Sequence, residues 1–172
     1  MKIRSVAALF VALSFARVDA ARAESPLALL GRELADSVLV LKSERKLYLL
    51  KAGQIVKAIT IYLGPMPSGA KRREGDFRTP EGHYVLEGRN VDSDYFLSIQ
   101  LSYPNAADRE VARKQHVDPG GNIMIHGMPN EPHYSPLHYQ NDWTDGCIAV
   151  SNADMLDIWL MTRESTPIEI RP

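Results

Sequence analysis

The chain has 172 residues, a formal charge of −1 and a single cysteine. That length suits one domain with a sizeable core, and the near-neutral charge lacks the basic footprint of a nucleic-acid binder. One cysteine excludes an internal disulfide framework.

Residues 1–23 read as a secretory signal. Lys2 and Arg4 form a basic start, Val6 to Ala16 is an apolar run, and Ala21-Arg22-Ala23 is an A-x-A cleavage site. The run is shorter than the roughly 20 apolar residues of a membrane span, so no stable span is expected after processing. The mature chain is expected to begin at Glu24. Lys2, Arg4, Arg17 and Arg22 against Asp19 give the signal +3, so the mature chain carries −4. Residues 24–37 form an N-terminal segment in which "PLALLGRELA" (27–36) predicts a short helix.

Three strands are expected next, at 38–42, 46–51 and 54–62, rich in β-branched and aromatic residues and broken by "KSER" and "KAGQ". Their short connections suggest a meander. Residues 64–82 carry glycines at 64, 69, 75 and 82 and three prolines, which predicts a long loop. A loop of that length in a compact domain is usually functional. Strands follow at 83–90 and 94–102. A polar helix runs to about His116 with Asn105 as its cap, and a strand spans 122–126. A second proline-broken loop, 127–142, leads to strand-like "CIAV". Ser151 and Asp154 resemble a capping box opening a helix to about Thr162, with Leu156, Trp159 and Leu160 on its apolar face. A strand, "TPIEIR", ends the chain. Strands dominate, so the expected class is mainly β with short helices, as an antiparallel-rich sandwich or barrel.

The lone Cys147 sits in "NDWTDGCIAVSN" (141–152). A thiol outside the cytoplasm is either reactive or well hidden. Gly146 before it permits a sharp turn and close approach of a ligand, and such a turn can aim amides at an oxyanion. A nucleophilic thiol needs a base, and His126 at the end of "IMIH" is placed to face a cleft. Its other reading is a core histidine with a satisfied hydrogen bond. Paired with His126, the thiol is expected to have a lowered pKa. No acidic residue stands out as a third member, and a backbone carbonyl can orient the imidazole instead. His126, His133 and His138 lack the carboxylate or second cysteine that would complete a zinc spacing. His83 and His116 read as strand and helix-surface residues. Lys71, Arg72, Arg73 and Arg78 against Glu74 and Asp76 make the stretch 71–78 net +2. It reads as a solvated loop or as an attractor of substrate carboxylates, with Arg78 the first candidate for the latter.

"IMIHG" followed by "TDGCIAVSN" resembles the histidine–spacer–Ser/Thr-x-Gly-Cys signature of the L,D-transpeptidases of the YkuD type. Seventeen residues separate His126 from Thr144. "REGDFRTPEGHYVL" (73–86) is similar to the family's glycine and threonine-proline loop, and "LSYPNAADR" (101–109) to a segment of exported proteobacterial members. The resemblance covers about residues 38 to 171 and assigns 38–172 to a catalytic domain of β-sandwich or barrel form. It implies a periplasmic enzyme acting on peptidoglycan stem peptides. Cys147 would attack the third-residue carbonyl, releasing D-alanine, and the acyl group would pass to an amine. His126 would be the base, the Gly127 carbonyl its orienter, and the amides of Gly146 and Cys147 the oxyanion donors. Trp143, Thr144, Tyr134 and Arg78 are the expected substrate contacts. No metal or organic cofactor is implied, and carbapenem-type inhibitors are expected to acylate the cysteine.

One departure is Ala149, where many members have arginine. A branch with a similar "DWT-x-GC" stretch instead hydrolyses the link to a wall-attached lipoprotein. A peptidoglycan amidase or carboxypeptidase using the same Cys147–His126 pair is therefore the alternative enzyme. A non-catalytic wall-binding domain with a buried cysteine is the reading from another class.

Overall fold

The computed structural model describes residues 33–131 and 141–172. The expected signal, residues 27–32 of the expected first helix, His133, Tyr134 and His138 lie outside the described residues. Residues 33–36 are not helical, so the described end of that expected helix is corrected. Ala35 instead donates its amide to Met161 O and Asp36 to Leu50 O.

The expected meander is present as β1 (Ser37–Leu41), β2 (Lys46–Lys51) and β3 (Gln54–Thr60). β1 and β2 alternate inward and outward, the period-2 pattern of a sheet with one covered face. Val38, Val40, Leu47, Leu49 and Ile59 point inward, and fully burying such side chains contributes about 1.5–3 kcal/mol each. β4 (Gly82–Asn90) and β5 (Ser98–Leu101) form the second antiparallel pair. β5 starts later than the sequence suggests. Asn90 Oδ1 accepts Asp92 N and Ser93 Oγ accepts Tyr95 N, closing side-chain turns that compete with the ladder, and Phe96 takes a left-handed backbone at φ 64°.

Helix α1 (Ala106–Gln115) has a complete capping box. Asn105 Oδ1 accepts the amides of Ala107 and Asp108, and Asp108 accepts from Asn105 N. β6 (Met124–His126) and β7 (Ile148–Ala149) follow. Helix α2 (Asn152–Met161) begins at Ser151, whose oxygen accepts Asp154 N at 3.1 Å. Asp154 does not reach back to the cap amide. It accepts from the Ser151 hydroxyl at 2.7 Å instead. The expected apolar face of α2 is present in part. Trp159 packs against the core, but Leu156 is exposed and Met155, Ile158 and Met161 are the buried residues. Two overlapping helical stripes exist in this apolar helix, and β1 and β8 (Pro167–Arg171) belong to the core cluster that takes the other one.

The eight strands form one sheet in the order β3-β2-β1-β8-β4-β5-β6-β7. β1 with β8 and β6 with β7 are parallel, and the remaining pairs are antiparallel. The sheet curls until its ends meet. Tyr62, just past β3, exchanges hydrogen bonds of 2.8 and 2.9 Å with Ala149 of β7. The mainly β, half-barrel architecture is therefore what the alternating strands call for. No described helix is long and apolar enough to cross a membrane.

Candidate active site

Cys147 precedes β7, and His126 ends the adjacent parallel strand β6. The register pairs Ile125 with Ile148 and His126 with Ala149. Cys147 therefore lies opposite Met124, and side-chain alternation puts Cys147 and His126 on one face of the sheet. Adjacent strands are about 4.8 Å apart and two residues advance roughly 6.6 Å, so the thiol and the imidazole are diagonal neighbours.

The turn before Cys147 is built by several independent bonds. Thr144 is buried, and its hydroxyl donates to Cys147 O at 2.7 Å while accepting Gly146 N at 3.3 Å. Gly146 has φ 120°, and a Cβ there would lie 2.5 Å from Arg78 O. Only glycine fits that approach. Its carbonyl accepts from the Thr79 hydroxyl at 2.9 Å. Asp142 fixes the start of the turn by pairing with Arg45 and accepting Leu63 N at 2.9 Å.

His126 is buried, and its Nδ1 lies 2.7 Å from Gly127 O. A carbonyl only accepts, so Nδ1 carries the proton and Nε2 keeps its lone pair. Gly127 is itself confined. A Cβ would meet Asn152 Oδ1 at 2.6 Å and Phe96 Cβ at 3.0 Å. The rings of Tyr95 and Trp143 flank the imidazole at centroid distances of 4.5 and 5.7 Å. Ala149 sits directly across the ladder from His126 and carries only a methyl group.

Burial pushes the His126 pKa below its ordinary 6.5, against the contrary pull of the Gly127 carbonyl. Burial also pushes the Cys147 thiol above 9.0. The Met124 amide draws it down, Asp145 adds to the rise, and Lys71 opposes it. This corrects the lowered thiol pKa expected from the sequence. A neutral imidazole supplies no positive charge to hold a thiolate, so desolvation wins. The resting pair is thiol and neutral imidazole, with the sulfur 3.4 Å from Asn122 O.

The thiol opens on a cleft of about 400 Å³ whose walls include Lys71, Glu74, Phe77, Asn122 and Asp145. The long loop therefore supplies one side of it, and the loop is pinned. Lys42, almost fully buried, donates to Gly69 O, Thr79 O and Glu81 at 2.8–3.0 Å. Lys71 donates to Asp76 at 2.9 Å.

Of the expected substrate contacts, Trp143 lies beside His126. Thr144 lies inside the turn, its hydroxyl engaged there, so its placement is internal and does not line the cleft. Arg78 touches Gly146 through its backbone, while its side chain lines a neighbouring hollow. The Gly146 amide is directed at Thr144, whereas the Cys147 amide has no acceptor among the described residues. Sequence reasoning missed Tyr95 and Lys42, and of these only Lys42 left a trace, as a lysine in the inward register of Val38 and Val40. Lys71 is expected from the sequence only as one charge of the basic loop, and Thr79 only as part of its threonine-proline motif; the structure adds their bonds to Asp76 and Gly146.

The family model of the L,D-transpeptidase catalytic domain, YkuD, matches residues 35–170. YafK of Escherichia coli K12 is 35% identical over 96 residues, which cover 52% of this chain and 37% of YafK. Among solved structures, the helical cell shape determining protein Pgp2 of Campylobacter jejuni superposes with a TM-score of 0.59 at 26% identity, covering 78% of this chain and 46% of Pgp2. Bd1075 of Bdellovibrio bacteriovorus gives a TM-score of 0.54 at 26% identity over 80% of this chain and 48% of Bd1075. The chain thus spans less than half the length of each of these relatives. With the family model covering most of the chain, the chain belongs to the YkuD family of L,D-transpeptidase catalytic domains.

Proposed function

We propose that the protein is an L,D-transpeptidase using Cys147 as nucleophile and His126 as base on peptidoglycan stem peptides, with residues 38–172 as its catalytic unit. The observation that carries this reading is the His126 imidazole. It is neutral, fixed through Nδ1 by Gly127, and shares a sheet face with the only thiol of the chain.

In the reaction, Nε2 of His126 takes the thiol proton as Sγ attacks the third-residue carbonyl. General-base help suits a thiol that is not ionised at rest. The tetrahedral oxyanion is held by the Cys147 amide, and by the Gly146 amide as it turns from Thr144. The imidazolium then protonates the leaving amine, D-alanine departs, and a thioester remains on Cys147. His126 takes a proton from an incoming amine, which attacks the thioester and regenerates the thiol. Trp143 and Tyr95 keep water from the imidazole, and no metal or organic cofactor is required. Export to the periplasm, a role in cell shape like that named for Pgp2, and acylation by carbapenems accompany this reading.

Water in place of the amine would give a carboxypeptidase, or release of a wall-attached lipoprotein, with the same pair. Ala149 bears on that alternative because its methyl group, paired across the ladder with His126, offers no cation to hold a carboxylate. The protein incubated with disaccharide-tetrapeptides separates the two by mass spectrometry of the products. A cross-linked dimer lacking one D-alanine is expected, while tripeptide alone would mark the hydrolase.

A further inference from the structure

A second hollow, of about 430 Å³, shares the walls of Gly75 and Phe77 with the cysteine cleft. Met66, Arg72, Arg73, Asp76 and Arg78 complete its lining. Asp76 is its single carboxylate, and it is already satisfied. It accepts Lys71 Nζ at 2.9 Å and the amides of Arg72, Arg73 and Arg78 at 2.7–3.2 Å. None of the three guanidinium groups has an ion pair or hydrogen bond among the described residues. The loop thus holds its backbone around one internal carboxylate, leaving Arg72 and Arg73 exposed and Arg78 half-buried with its guanidinium over Gly69.

Two apolar side chains are displayed beside them. Met66 is 53% exposed and Phe77 41%, and Phe77 is held at φ 55°. A left-handed backbone is uncommon for an aromatic residue and marks a position fixed by its surroundings. Between the hollows, Gly75 at φ 70° has open space where a Cβ would be, so the ridge carries no side chain there. Charge changes sign across it. The cysteine cleft bears Glu74 and Asp145 against Lys71, a net of −1, and the neighbouring hollow bears the three arginines against Asp76, a net of +2. An extended ligand with carboxylates at one end would be oriented by that gradient. A general polyanion would not suit the acidic side, nor a mature chain of net −4.

We propose that this hollow is a subsite for a carboxylate-bearing segment of the acyl-donor peptide, with Arg72, Arg73 and Arg78 recognising the carboxylates and Met66 and Phe77 contacting its apolar parts. The subsite rests on the acyl-transfer reading for the identity of its ligand, and it goes beyond that reading in making the loop the determinant of donor specificity.

The test is equilibrium binding to the full chain carrying Cys147→Ala. Two stem tetrapeptides serve as probes, one with free carboxylates and one amidated at every carboxylate except the C-terminal one. The free form is expected to bind about tenfold more tightly, the effect of one charge-assisted hydrogen bond. In Arg72→Gln/Arg73→Gln/Arg78→Gln that ratio should fall to about one, while Arg78→Lys should keep most of it. A ratio near one in the parent, or an unchanged ratio in the triple variant of matching thermal stability, overturns the subsite. Binding does not require chemistry, so the two readings fail separately. A chain that discriminates through the arginines but never acylates Cys147 would retain the subsite and lose the transpeptidase. Acylation without discrimination would do the reverse.

Discussion

The hydroxyl of Thr79 donates to the carbonyl of Gly146 at 2.9 Å, tying the end of the long loop to the residue before the cysteine. The carbonyl of Thr79 in turn accepts from the buried Lys42 at 3.0 Å. A set of hydrogen bonds thus runs from Lys42, the residue after β1, to the turn that carries Cys147. Thr79→Val keeps the shape and leaves Gly146 O without its donor in a buried place. That should cost about 1–3 kcal/mol of stability. The turn should also lose its set, lowering kcat more than it raises KM, with Thr79→Ser restoring both. Thermal denaturation with steady-state kinetics on the three proteins checks it. A fall in stability with unchanged kcat would make the bond structural only.

The thiol is held above its ordinary pKa, by burial first, with Asp145 adding to the rise. Alkylation by a small neutral reagent follows the thiolate, so its rate should climb with pH and reach its midpoint above 9.0. Asp145→Asn removes a negative charge facing the sulfur, which lowers that midpoint and speeds alkylation at pH 7 by about threefold, as expected for a partly solvated neighbouring charge. Rates of iodoacetamide labelling across pH, in parent and variant, decide the sign.

Tyr95 packs its ring on His126 at a tilt of 44° and also accepts the Gly127 amide through its own carbonyl at 3.1 Å. Burial holds the imidazole pKa below 6.5, with the Gly127 carbonyl working against it. A base must be neutral to act, so the acid limb of kcat/KM should fall below pH 6.5 in the parent. Tyr95→Ala admits water to the ring, and the limb should move up toward 6.5. Tyr95→Phe keeps the ring face and should leave the limb in place. An unmoved limb in Tyr95→Ala would show that the neighbouring ring does not control the imidazole.

Much of this site is written locally. Alternation in β1 and β2 gives the strands directly, and glycine before a lone cysteine marks the turn. Gly146 then proves necessary for a reason invisible in one dimension, its approach to Arg78 O. The joining of β1 to β8 and the closure through Tyr62 and Ala149 link residues far apart in the chain, and no local pattern encodes them. Tyr95 reaches His126 across the same kind of gap. Its neighbours predict a strand, and the Ser93 side-chain turn that ends that pattern is what places the ring. Proximity to a histidine suggests an ion pair and a lowered thiol pKa, whereas desolvation of the buried His126 and the half-buried Cys147 favours the neutral pair.

The central claim is that Cys147 accepts the acyl group of a stem peptide. Intact-protein mass spectrometry of an acid-quenched mixture with disaccharide-tetrapeptide tests it most directly. The expected result is an adduct on Cys147 equal to the donor without its terminal D-alanine, absent from Cys147→Ala. D-alanine release by Cys147→Ala at the parent rate, or an adduct on any other residue, would contradict the account.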